Sequence, residues 1–234
     1  MLILGIETSG LAGSIALVRD GHALECLPLE QAGRRHAQSL VLEIRNMLSR
    51  HQFVPRQIEA IAVSRGPGSF TGLRVGLVCA KTLAYAVGCR FVAVDTFAAI
   101  ARNCPNPIRE TWIVEDAQRG DLFAGRYLRL DSGEWRQTNP IEIVNADQWL
   151  PLRGAGEFVA GRGLVRCDIS RTAATCLIHE PFAQPSALAV ALLGEQLLTG
   201  PCTGLDFDFW KAVPFYLRPS AAEEKRDQLD SSRS

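Results

Sequence analysis

RGPGSFTGLR, residues Arg65 to Arg74, stands between two apolar runs and decides what kind of layer they build. Before it lies IEAIAVSRG (Ile58 to Gly66), whose length and β-branched content read as a strand. After it, FTGLRVGLVCAKTLAYAVG reads as a long helix. Three glycines and a proline turn the chain between the two, and Ser69 or Thr71 stands where a helix cap is needed. A strand, a tight turn and a helix in that order are the unit of an α/β fold. Amides at such a helix start also hold anions. The run has neither the glycine spacing nor the lysine of a P-loop, and in G-x-G-x-x-G terms Gly72 comes one place late. A turn with a cap explains these residues without a ligand, and anion binding stands as the alternative.

Upstream, LILGIET (Leu2 to Thr8) is a strand, and GSIALVRDGHALECLPLE reads as two strands joined at Asp20-Gly21 in a type I′ turn. From His36 to Ser49 the period changes to that of a helix, with Ala37, Leu40, Val41, Ile44, Met47 and Leu48 on one face. Downstream, RFVAVDT is a strand and FAAIARNC a short helix. Three strands able to pair antiparallel, followed by two strand–helix units, predict an α/β lobe with a mixed sheet and flanking helices. NCPNPIRE (Asn103 to Glu110) reads as a linker. Beyond it TWIVEDA and GDLFAGRYLRL read as strands, 145–150 as a short helix, and PSALAVALLGEQLLTG as a helix capped by Ser186. The division is residues 1–103, residues 104–219, and a polar tail from 220 to 234 expected to be disordered.

Composition excludes several classes. Of 234 residues 47% are hydrophobic and the formal net charge is zero, so there is no global field for nucleic acid or acidic lipid. Seven cysteines, none at CxxC spacing, read as reduced thiols rather than a disulfide frame or zinc site. The start MLILGIETSG lacks signal-peptide features, and the apolar stretch Val75 to Val87 contains Lys81, which makes it a poor membrane span. The expectation is a soluble cytoplasmic protein.

The long helix is apolar around nearly its whole circumference, which predicts burial on every side. Gly72, Gly76, Ala80 and Ala84 recur every fourth residue, a small-residue stripe that lets a backbone come close. One reading packs the helix between its own sheet and the preceding helix; the other places part of it against another subunit. Catalytic signatures are sparse. The four histidines have no metal-ligand spacing, and no serine or cysteine stands in a nucleophile motif. Glu115 and Asp116 are adjacent on a strand and point to opposite faces. Glu7, Thr8 and Ser9 end the first strand, where a carboxylate and hydroxyls suit either a nucleotide phosphate or a plain polar turn.

ILGIETS, GPGSFTGLRVGL, DAQRGDLF and FYLRP together resemble the bacterial TsaB (YeaZ) family, and the likeness runs to about Ser220. The resemblance implies an actin-like, ribonuclease-H-like (ASKHA) two-lobed fold. It also implies a non-catalytic partner of TsaD, joined by TsaE, in forming N6-threonylcarbamoyladenosine beside the anticodon of tRNA. ATP and a metal are implied for the complex and none for this chain, which is expected to touch tRNA only through the complex and to form a homodimer when TsaD is absent. TsaD-like chains carry HxxxH where this sequence has VDTFAAIA, so Thr96 and Ile100 replace the two metal-binding histidines. The family's interface is built from the first two helices. That implicates Ala37, Leu40, Val41, Ile44, Leu48, Leu73, Gly76, Leu77, Ala80 and Ala84. Glu7, Thr8, Ser9, Gly66, Gly68 and Ser69 would then be remnants of a nucleotide-binding lobe. An ATP-dependent phosphotransferase or ATPase of the actin-like superfamily is the alternative reading.

Overall fold

The computed structural model describes residues 1–10, 12–29, 36–168, 170, 176–179, 181–200 and 210–218, with backbone alone at 36–38 and 176. Its first sheet is assembled around β1 (Leu2–Glu7). On one side β2 (Ser14–Arg19) and β3 (His22–Pro28) pair antiparallel; on the other β4 (Ala60–Ser64) and β5 (Arg90–Val94) pair parallel, in the order β3-β2-β1-β4-β5. The β2–β3 turn has positive φ at both Asp20 and Gly21, the type I′ geometry that the sequence predicts.

Side chains alternate along β1 and so feed two cores. Leu2, Leu4 and Ile6 meet Leu40, Ile44 and Met47 of α1 (His36–Arg50) and Leu77, Ala80 and Ala84 of α2 (Phe70–Val87). Ile3, with Ala62 and Val92, meets Ala189, Val190 and Leu193 of α5 (Ala187–Thr199). Gly5 is required for that second contact: a Cβ on it would stand 2.9 Å from the Ala191 methyl.

The linear division at 103 and 104 separates the two sheets but misplaces α5. This helix comes from the last part of the chain and covers the outer face of the first sheet. The correction has a simple cause, since β1 and β4 are buried along their whole length and a sheet covered on one face only leaves half those side chains in water. The stretch 220–234 lies outside the described residues.

The second sheet has the order β11-β10-β6-β7-β8. Its long hairpin of β6 (Glu110–Gln118) and β7 (Asp121–Arg129) carries β8 (Trp135–Gln137), while β9 (Glu142–Asn145) also pairs with β7. On the other side β10 (Phe158–Ala160) and β11 (Cys176–Ile178) run parallel to β6. α4 (Ala146–Trp149) covers one face, and α3 (Thr96–Asn103) puts Phe97 and Ile100 into the other. α3 serves both lobes, because Ala99 lies in the core of the first. Asp95 caps it, accepting from Phe97 N (2.9 Å) and from the Tyr127 hydroxyl, and burial pushes this carboxyl up. Cys26, Cys79, Cys89, Cys104 and Cys167 form no disulfide.

By length and composition α2 is apolar enough to cross a membrane, but it carries Arg74 and Lys81 and packs across β4. It is not buried on every side. Leu73, Gly76, Leu77, Ala80 and Ala84 turn inward, whereas Val78 and Tyr85 are 64% and 70% exposed. An all-round apolar composition here marks one face in the core and another at the surface.

Candidate interlobe site and docking face

Three segments distant in sequence line one cleft of about 440 Å3 between the lobes. They are the glycine-rich turn 67–71, the end of β6 with Arg162, and residues 215–218.

Behind the first-lobe wall, Glu7, Thr8 and Ser9 are all buried. Glu7 Oε1 accepts from both the amide and the hydroxyl of Ser9, each at 2.5 Å. Burial pushes the Glu7 carboxyl up, and the Ser9 and Ser64 hydroxyls temper the rise. Its Oε2 is buried without a hydrogen bond of normal geometry among the described residues. The Thr8 hydroxyl donates to the Gly72 carbonyl (2.7 Å), and the Ser69 amide donates to the Ser9 carbonyl (2.9 Å). Ser69 caps α2, its hydroxyl accepting from Gly72 N (3.3 Å). Gly66 and Gly68 adopt the positive φ values of 114° and 158°, and a Cβ on Gly68 would stand 2.8 Å from that of Ser9. The structure therefore brings together Glu7, Thr8, Ser9, Gly66, Gly68 and Ser69, held by bonds to one another, to Gly72 and to Thr96. Several donors at this turn are engaged by protein oxygens: the Thr8 and Ser9 hydroxyls and the amides of Ser9, Ser69 and Gly72.

The opposite wall carries a buried ion pair that sequence reading missed. Glu115 accepts from Arg162 Nε (3.3 Å) and Nη2 (3.1 Å), and the two side chains are 4% and 17% exposed. Burial pushes Glu115 up and the guanidinium draws it back. Arg162 Nη1 is buried without a partner among the described residues and lies toward Gly10 of the first lobe. Asp116 points away, as adjacent strand positions must, and pairs with Arg166 (2.9 Å). Arg162 lies 47 residues from Glu115, so no local signal joins them.

A metal does not fit at Thr96 and Ile100. The Thr96 hydroxyl accepts from Gly66 N (3.0 Å) and Ile100 is fully buried in the second core, so neither position offers a free donor.

The inferred interface residues need correction. Leu40, Ile44, Leu48, Leu73, Gly76, Leu77, Ala80 and Ala84 are buried inside the chain's own first lobe and cannot face a partner. Only Val41, 54% exposed, remains a surface residue, and the side chain of Ala37 lies outside the described set. The small-residue stripe is a close approach within the chain: a Cβ on Gly72 would stand 3.0 Å from the Thr8 carbonyl carbon and nearer still to its oxygen. The surface α1 and α2 do present is Val41, Leu42, Val78 and Tyr85, extended by Trp210 beside Tyr85 (ring centroids 6.1 Å apart). Hydrophobicity alone does not separate an inward leucine from an outward valine, which is why the sequence selected the wrong face.

Comparison with known proteins agrees with this architecture. The family model for TsaD, tRNA N6-adenosine threonylcarbamoyltransferase, matches residues 27–137. The chain is 31% identical to the tRNA threonylcarbamoyladenosine biosynthesis protein TsaB of Escherichia coli (strain K12), across 96% of this chain and 98% of that protein. It is 28% identical to TsaB of Bacillus subtilis (strain 168), across 96% and 97%. Among solved structures, YeaZ from Pseudomonas aeruginosa superposes with a TM-score of 0.76 at 27% identity, covering 92% of this chain and 99% of that one. At 31% identity to a TsaB protein over nearly the full length of both, the chain belongs to the TsaB (YeaZ) family.

Proposed function

We propose that this protein is the non-catalytic subunit that binds a TsaD-type partner, with a TsaE-type ATPase, for threonylcarbamoyl transfer to tRNA adenosine in the cytoplasm. The observation that carries the reading is the outer stripe of α2, where Val78 and Tyr85 stand exposed on a helix whose inner face is fixed to β1. The TsaD model matches the segment that contains α1 and α2, so the partner brings the same two helices. Two related copies then pair about a pseudo-twofold axis, and two copies of this chain pair about a true one when TsaD is absent. In this reading ATP and metal belong to the partners, and tRNA is reached through the complex. The engaged donors around Ser9 and Ser69 support that division of labour.

The test is reconstitution with TsaC-, TsaD- and TsaE-type proteins, ATP, threonine, bicarbonate and an ANN-decoding tRNA, with and without this chain. Modified adenosine is expected only when the chain is present. Val78→Arg together with Tyr85→Arg is expected to abolish TsaD binding and leave the chain's own unfolding free energy within about 0.5 kcal/mol, because both sites are exposed. Nucleotide turnover by the isolated chain, with no dependence of modification on its presence, favours the ATPase reading instead.

A further inference from the structure

Residues 210–218 touch both lobes and the α2 face within a few residues of one another. The Phe215 amide donates to the Arg65 carbonyl (2.7 Å), just beyond β4, and Gly66 leaves room for the passing backbone. Tyr216 stacks on Phe70 in the first turn of α2 (centroids 4.8 Å apart), and its hydroxyl accepts from Arg74 Nε (3.0 Å). Two residues on, Arg218 reaches the other lobe. Its Nη1 donates to the Ala117 carbonyl and its Nη2 to Asp121 Oδ2, each at 2.6 Å, around the β6–β7 turn. Ala212 packs on the first core and Leu217 on the second. From Phe215 to Arg218 there are three peptide steps, which extend at most about 10–11 Å. So short a tether keeps the first-lobe and second-lobe anchors within one small stretch of chain.

We propose that residues 210–218 form a strap across the cleft that couples the β6–β7 turn of the second lobe to the α2 face. A change at that turn reaches the docking surface through Arg218, Tyr216 and Phe70. This second half of the proposal rests on α2 being the docking face; the strap itself does not.

Hydrogen exchange of the full chain tests it through the Phe215 amide, whose acceptor lies in the first lobe. Arg218→Ala removes hydrogen bonds only in the second lobe, yet is expected to speed exchange at Phe215 at least about tenfold, the lower bound for losing one hydrogen bond of a charged group. Asp121→Asn, which leaves Arg218 in place, is expected to act in the same direction. Amides of β1 provide the internal reference for any general loosening. Unchanged Phe215 exchange in both variants overturns the coupling. In a binding assay with a TsaD-type protein, the same variants are expected to weaken binding several-fold although Val78 and Tyr85 are untouched. Equal binding by variant and wild type overturns the relay to the docking face. If the wild-type chain fails to bind at all, the docking reading fails, and Phe215 exchange decides the strap by itself.

Discussion

Gly72→Ala separates an inward small-residue stripe from a partner-facing one. On an exposed helix the change adds stability, about 0.5–1 kcal/mol from the lower backbone entropy of alanine. Here the new methyl would stand 3.0 Å from the Thr8 carbonyl carbon and closer to the oxygen. The oxygen is the tighter contact, and clearing it takes α2 back by more than about 1 Å, since non-bonded heavy atoms rest about 3.5 Å apart. That retreat strains the bond from the Thr8 hydroxyl to the Gly72 carbonyl (2.7 Å) and the bond from Ser69 N to Ser9 O (2.9 Å). Overpacking costs about 1–3 kcal/mol, and two weakened hydrogen bonds add about 0.5–1.5 kcal/mol each. After the helix gain the net loss is about 1–5.5 kcal/mol.

Urea denaturation of the isolated chain measures it. With an m-value of roughly 2–3 kcal/mol/M, a loss of about 2 kcal/mol lowers the midpoint by roughly 1 M. Val78→Ala is the control, 64% exposed and expected to stay within about 0.5 kcal/mol. A Gly72→Ala chain as stable as wild type, or one that keeps its stability and loses only its partner, refutes the packing of α2 on Thr8.

Two further outcomes rest on buried carboxylates, one in each lobe. Glu7 has its pKa raised by burial above the ordinary 4.5; such a carboxyl contributes stability present below 4.5 and lost as pH rises through its folded value. Glu7→Gln, uncharged throughout, is therefore expected to shrink the drop in melting temperature between pH 5 and pH 8, and an unaltered drop removes Glu7 as its source. Arg162→Ala leaves Glu115 buried and unpaired, an expected loss of about 3–5 kcal/mol in chemical denaturation. Replacing both residues by leucine is expected to cost much less, and equal losses in the two variants refute a buried ion pair.

The first sheet was legible because its signals are local. The short apolar run LILGIET, the Asp20-Gly21 turn and the helical period from His36 each specify an element within a few residues. Cap chemistry was legible too, since Ser69 and Ser186 cap the helices they precede. What escaped depends on long-range contacts. The all-apolar α5 gives no sign of which sheet it covers, and Ala191 meets Gly5 across almost the whole chain. The Glu115–Arg162 pair and the Arg218 anchor likewise join residues 47 and 97 or more positions apart. In α2 the period marks Val78 and Leu77 as equally apolar, and only the sheet beneath decides that Leu77 is in and Val78 out.

The glycine-rich turn and the exposed face of α2 are two ends of one arrangement. Glycine at position 72 lets the helix descend onto Thr8, glycine at 68 lets the turn pass Ser9, and Ser69 ties its amide to Ser9 while its hydroxyl caps the helix. A phosphate entering here has to displace protein acceptors from these donors, each exchange forfeiting about 0.5–1.5 kcal/mol of existing bonding before any is gained. The same bonds fix the height and rotation of α2 against β1 through its first turn. Rotation is what decides that Val78 and Tyr85, rather than Leu73 and Leu77, face outward. A surface that must fit a partner gains from being carried on a rigid element, because less freedom is lost on docking. Under the proposed function these residues hold the docking helix still, and loosening the turn at Gly68 or Gly72 is expected to weaken partner binding in the TsaD-type binding assay.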